Sequence, residues 1–116
     1  MTAFKAACVQ LNSGNDLAAN LQAAETAIRS AAASGAQLIM LPEYAAMMDG
    51  SGRVMRENSP VEDGHPALDR FRALARETQA WLLVGSLTIK VDDERMVNRS
   101  YLVSASGEIV ASKRAA

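Results

Sequence analysis

Apolar and polar positions alternate in blocks along this chain, and the blocks read as strands and helices in turn. Phe4 to Leu11 is strand-like, with Ala6, Ala7, Cys8 and Val9 at its centre. Asn12 to Asn15 is a loop, with Ser13-Gly14 as turn chemistry. From Leu17 onward the period changes. Leu17, Leu21, Ala24, Ile28 and Ala31 recur three or four residues apart, one stripe of a helix, with Asp16 as its cap and Gly35 as its left-handed end. Glu25 and Arg29 fall one turn apart on the outer side. Leu38-Ile39-Met40-Leu41 then runs apolar without a break until Pro42 stops it. A run of this length reads as a strand covered on both faces. Strand, helix and strand in this order predict a parallel βαβ unit.

The second half changes character. Ala45 to Gly64 is long and rich in Gly, Ser, Asp and Asn. It leaves directly from Glu43, so it is a pocket wall or a plain surface excursion, with a short helix near Val54 and Met55. Pro66 suits the first turn of a second long helix, whose buried stripe is Leu68, Phe71, Leu74 and Ala75. Trp81 to Val91, Met96 to Ser104 and the segment from Glu108 to Ser112 are strands joined by short polar turns, which predicts an antiparallel meander. Gly85-Ser86 interrupts the first of them and lets a backbone or ligand come close. Leu17, Leu21, Ile28, Leu38, Met40, Leu68, Phe71, Leu74, Leu83 and Val84 are the expected common core.

Composition narrows the class. The chain has 116 residues, the length of one small domain, and nearly half of them are apolar. Twelve basic and 13 acidic residues leave a net charge of −1, so nothing points to nucleic acid. No apolar run approaches the ~18 residues that span a bilayer. The opening Met1-Thr2-Ala3-Phe4-Lys5 lacks a secretory leader's pattern, so a cytoplasmic location is expected. One cysteine excludes a disulfide within the chain. Cys8 itself reads as a small, buried, inert strand residue, since no histidine lies nearby in sequence to activate its thiol. The single histidine, His65, precedes a proline at a helix start and reads as a loop or capping residue. Asn98, in a strand beside Gly85-Ser86, could bond a loop and fix its geometry, or face water.

The residue that stands out chemically is Glu43. It lies just past Pro42, at the carboxyl end of the central strand, where ligands bind in α/β sheets. Position alone also fits a solvated loop acid. Three stretches go further. Lys5-Ala6-Ala7-Cys8-Val9-Gln10-Leu11 opens the chain. Ala32-Ala33-Ser34-Gly35-Ala36-Gln37-Leu38-Ile39-Met40-Leu41-Pro42-Glu43 carries the acid. Val84-Gly85-Ser86-Leu87, Val97-Asn98-Arg99-Ser100-Tyr101 and Gly107-Glu108-Ile109-Val110-Ala111 follow in order. Together they resemble the nitrilase superfamily, the carbon–nitrogen hydrolases, over the whole chain. Within it they look most like the Nit-type amidase branch of omega-amidases and deaminated-glutathione amidases.

The resemblance implies an α/β fold, the N-terminal half of a nitrilase-type α-β-β-α sandwich, with residues 1–116 as the N-terminal part of a carbon–nitrogen hydrolase domain. It implies hydrolysis of small linear, non-peptide amides or nitriles through a cysteine thioester. Glu43 matches the family's general base. No metal or organic cofactor is implied, no nucleic acid or membrane partner, and full-length relatives are expected to be homo-oligomers. The family's remaining triad members are a lysine and a cysteine. Aligned from Gly107, its Tyr-Arg-Lys stretch falls on Lys113, Arg114 and Ala115, so the lysine position holds alanine and Lys113 comes two residues early. The nucleophile's motif does not occur, and Cys8 cannot replace it. The chain alone is therefore expected to be a truncated, inactive and poorly folded product, its sheet lacking a second covering layer. A non-catalytic α/β domain or small-ligand-binding module is the alternative. A nucleotide-binding domain would want a glycine-rich loop after the first strand, where only Gly14 stands.

Overall fold

A computed structural model describes residues 3–115. It contains β1 (Ala6–Cys8), α1 (Leu17–Ala33), β2 (Leu38–Leu41), α2 (Gly52–Asn58), α3 (Pro66–Thr78), β3 (Trp81–Lys90), β4 (Met96–Val103) and β5 (Ile109–Ala115). The strands form one sheet in the order β1-β2-β3-β4-β5. β1, β2 and β3 are mutually parallel, and β3, β4 and β5 run as an antiparallel meander. Both predicted relations hold. The first strand is shorter than its apolar pattern suggests, although Gln37 N donates to Lys5 O and Val9 N to Met40 O beyond its two ends. Among the described residues no helix is long and apolar enough to cross a membrane.

The local signals place the helices well. Asp16 Oδ1 accepts from Ala19 N at 3.2 Å and starts α1. Gly35, at φ 95°, ends it, with Ala36 N returning to Ala31 O. Glu25 pairs with Arg29 at 2.9 Å as the spacing predicts, and the pair extends to Glu77 and Arg70 of α3. His65 caps α3, its Nδ1 accepting from Ala67 N, and Pro66 follows in the first turn. No glycine closes this helix; Gln79 takes the left-handed conformation instead, at φ 56°.

α1 and α3 pack together on one face of the sheet. Ile28 and Ala24 from α1, Phe71, Leu74 and Ala75 from α3, and Ile39, Leu41, Leu82, Val84, Tyr101 and Val103 from the sheet form a single buried core. This corrects the expected core in its phase. Leu38 and Met40 point to the other face and are only half-buried, and Leu83 is exposed. β2 is thus covered on one side, not two: its burial alternates along Leu38, Ile39, Met40 and Leu41. An unbroken apolar run carries no period, so it cannot say which alternate residues meet the helices. Leu17 and Leu21 pack at the core's margin. Cys8 likewise differs from its expected burial: it is exposed, across from Met40 on the uncovered face. Phe4, Leu38, Trp81 and Leu102 line a groove of about 500 Å³ on that side.

Candidate active site

Pairing of β2 with β3 ends at Leu41, opposite Val84. Pro42 has no N–H to continue the ladder, so the chain leaves the sheet there. Its exit is shaped by β3. The β3–β4 register shifts between Val84 and Leu87, so Gly85 and Ser86 form a bulge. A side chain at Gly85 would lie 2.5 Å from Leu41 O and from the carbonyl carbon of Pro42, so only glycine lets the two backbones touch. The bulge carbonyl of Gly85 is taken up by Ser100 Oγ. Ser86 then receives the departing chain twice: Tyr44 N donates to Ser86 Oγ at 2.9 Å, and Ala45 N to Ser86 O at 3.0 Å. Tyr44 pivots at φ 53°, a left-handed conformation rarely taken by a bulky residue. Its hydroxyl accepts from Asn98 Nδ2 at 3.0 Å.

The segment after the pivot is tied down from the other side. Asn20 of α1 is buried. Its Nδ2 donates to Gly14 O and to Ala46 O, and its Oδ1 accepts from Gly14 N. Met48 N donates to Gly14 O at 2.8 Å, and Ser13 Oγ to Ala45 O. Two loops, 11–15 and 42–48, are thereby joined at the carboxyl ends of β1 and β2. Between them lies an open cleft of about 200 Å³ lined by Leu11, Asn12, Ser13, Pro42, Glu43, Tyr44 and Met48. Glu43 is exposed in it, and none of the ion pairs among the described residues involves its carboxylate. A carboxylate so placed is free to take a proton from a group entering the cleft. Ala45, Ala46 and Met47 are buried beneath the loop. Farther on the segment packs as α2 on β3, where Ser59 Oγ meets Thr88 Oγ1. Only the start of the long connection is a cleft wall.

The predicted residues fall in different places. Glu43 is in the cleft, and Asn98 and Ser86 support the turn beside it. Cys8 does not line the cleft. Lys113 stands across from Ser100, and position 115 across from Asn98. His65 is buried away from the cleft; its Nε2 lies 3.3 Å from Thr88 O, and burial lowers its pKa. Two supports escaped the sequence reading. Asn20 lies in the apolar stripe of α1, four residues before Ala24, and a polar residue in such a stripe is a usable signal. The Tyr44 hydroxyl gave none, because its partner is 54 residues away. Among the described residues no three His, Cys, Asp or Glu side chains gather to hold a metal ion.

Comparison with known proteins bears on this geometry. Residues 5–115 match the carbon–nitrogen hydrolase family. A hydrolase of Schizosaccharomyces pombe is 30% identical over 112 residues, covering 97% of this chain and 34% of that protein. An amidase from Nesterenkonia sp. superposes with a TM-score of 0.81 at 25% identity, over 96% of this chain and 42% of that one. A variant of that amidase in complex with butyramide superposes equally well, with a TM-score of 0.81 at 25% identity. The NitFhit protein of C. elegans shares the fold, with a TM-score of 0.81 at 24% identity over 92% of this chain and 26% of that one. The chain thus spans well under half the length of these relatives.

Proposed function

The chain belongs to the carbon–nitrogen hydrolase family, and on that premise we propose that residues 1–116 are the base-bearing part of an amidase domain, with Glu43 as general base. The observation that carries this is the placement of Glu43: an exposed carboxylate in a cleft at the carboxyl end of β2, on a turn held by Ser86 and Asn98. The substrate class is a small linear amide or nitrile, in keeping with the amidase that binds butyramide.

The chemistry needs a base in that position. A thiol is mostly protonated at neutral pH, and an amide carbon is a poor electrophile. Glu43 takes the thiol proton as sulfur attacks the carbonyl carbon and the C–S bond forms. The proton passes to nitrogen as the C–N bond breaks, and ammonia or an amine leaves. Water then attacks the thioester, Glu43 takes its proton, and that proton returns to sulfur as the acid departs. A cation beside the tetrahedral oxygen stabilises the charge that develops there. The β4–β5 register bears on where this cation stands. Position 115 is across from Asn98, which bonds the residue after Glu43, whereas Lys113 is across from Ser100. Two residues along a strand is a displacement of about 6–7 Å, too far for a fixed oxyanion contact. Alanine at 115 and the lack of a cysteine in the cleft make these 116 residues inactive by themselves.

An ammonia-release assay on small amides tests both parts. The 116-residue chain is expected to show no turnover. In a domain carrying Ala115→Lys and completed by a cysteine-bearing second half, Glu43→Gln is expected to lower kcat by a factor on the order of 10²–10⁴. Near-normal kcat in that variant would remove Glu43 from the mechanism.

A further inference from the structure

We propose that Asn98 is a positioning residue for Glu43: by holding the Tyr44 hydroxyl, its side-chain amide sets the turn that presents the Glu43 carboxylate to the cleft. The inference rests on the reading of Glu43 as the base. The bonds from Tyr44 N and Ala45 N to Ser86 fix the path of the backbone after Glu43, but they leave the Tyr44 ring free to swing. The ring is the lever on this turn, since Tyr44 sits at φ 53° and a bulky residue leaves that conformation readily unless its side chain is held. Asn98 supplies the hold, reaching from β4 to a residue 54 positions earlier with a 3.0 Å bond.

The surroundings of Asn98 point the same way. It lies within a regular antiparallel ladder, across from Thr88 on β3 and Ala115 on β5. Its place is therefore set by the sheet and not by the loop, as a rigid support requires. Only half of its amide is used. Oδ1 is buried without a hydrogen-bond partner among the described residues. An unpaired buried acceptor costs stability, so an asparagine here is a poor choice for packing alone. The bond to Tyr44 is what the residue returns for that cost. Asn98 also joins the two elements nearest the proposed chemistry, the Glu43 turn and strand position 115.

Residue-resolved hydrogen–deuterium exchange on a completed domain tests this with Asn98→Leu, Tyr44→Phe and the double variant. Each single substitution is expected to speed exchange at the Tyr44 and Ala45 amides by roughly five- to tenfold, the loss of one net hydrogen bond, while amides of α1, β2 and β3 keep their protection. The double variant is expected to add little, because both changes delete the same bond. Unchanged exchange at Tyr44 and Ala45 in Tyr44→Phe overturns the proposal, even if Asn98→Leu loosens the whole sheet. Fully additive effects in the double variant overturn it as well. In a completed, active domain, Asn98→Leu is expected to lower kcat with KM little changed; a rise in KM alone would refute positioning. If Tyr44→Phe loosens the turn while Glu43→Gln leaves kcat intact, the base assignment fails and the support of the turn by Asn98 stands.

Discussion

Replacing Gly85 by alanine tests the close approach on which the Glu43 turn depends. The added carbon would lie 2.5 Å from Leu41 O and from the carbonyl carbon of Pro42, and 2.6 Å from Pro42 O. Ordinary contact begins at 3.4 Å, so the two backbones must part by about 0.9 Å. Nothing flexible stands in the way to absorb this, because the clashing atoms are all main chain. The same displacement stretches the two bonds to Ser86, now 2.9 and 3.0 Å. Overpacking of this kind costs about 1–3 kcal/mol, and two weakened hydrogen bonds add about 1 kcal/mol each. Alanine recovers about 0.5–1 kcal/mol by restricting the unfolded chain. The net loss should be about 2–4.5 kcal/mol, which a urea titration of a completed domain followed by far-UV circular dichroism reads as a midpoint lowered by about 1–2 M at unchanged slope. In a completed domain a displacement of this size should also cost about 10²-fold in kcat. A midpoint shift worth less than about 0.5 kcal/mol, the range of ordinary surface substitutions, would show that Gly85 is not the point of contact.

The other predictions concern the core, the cap and the uncovered face. Ile39, fully buried, should cost about 2–5 kcal/mol on replacement by alanine, whereas Leu83→Ala should cost about 1 kcal/mol or less; equal losses in denaturant unfolding would mean the strand phase is wrong. His65 is held neutral by burial, with Nδ1 accepting from Ala67 N and Nε2 facing Thr88 O. Its folded pKa lies below the ordinary 6.5, so the unfolded chain binds the proton first as pH falls. The stability it contributes is therefore complete above pH 6.5 and lost as pH falls towards the folded value. His65→Asn, which keeps a capping side chain without titrating, should flatten that slope. An identical pH profile in the variant would remove His65 as the cause. Trp81 and Leu83 lie exposed on the face opposite the helices, beside Leu38 and Met40. The chain should therefore elute above its monomer size and bind the dye ANS, and Trp81→Lys with Leu83→Lys should reduce both. A wild-type monomer that ignores the dye would show that this face needs no cover.

Much of this architecture is written in local chemistry. Asp16 and Gly35 bound α1 because a cap and a left-handed residue act within a few positions of their own backbone. Pro42 ends β2, and so puts Glu43 at the strand's carboxyl end, because a missing N–H needs no tertiary context to stop a ladder. Short polar turns made the β3–β4–β5 meander legible for the same reason. Facing was not legible. In Leu38-Ile39-Met40-Leu41 every residue is apolar, and only the arrival of α1 and α3 on one side decides that Ile39 and Leu41 are core while Leu38 and Met40 are not. Cys8 turned out exposed on the same account: the side of the sheet it occupies is set by packing and not by its own chemistry. The site shows the same division. Glu43 and the opening at Gly85-Ser86 can be named from the sequence, since each is a local exception in an apolar run. The left-handed turn at Tyr44, its bond to Asn98 and the placing of position 115 across from Asn98 depend on a bulge and on strand register. Those are settled only when segments distant in sequence pack together, 54 residues apart for Tyr44 and Asn98, because a hydrogen bond between them has no signature in either segment alone.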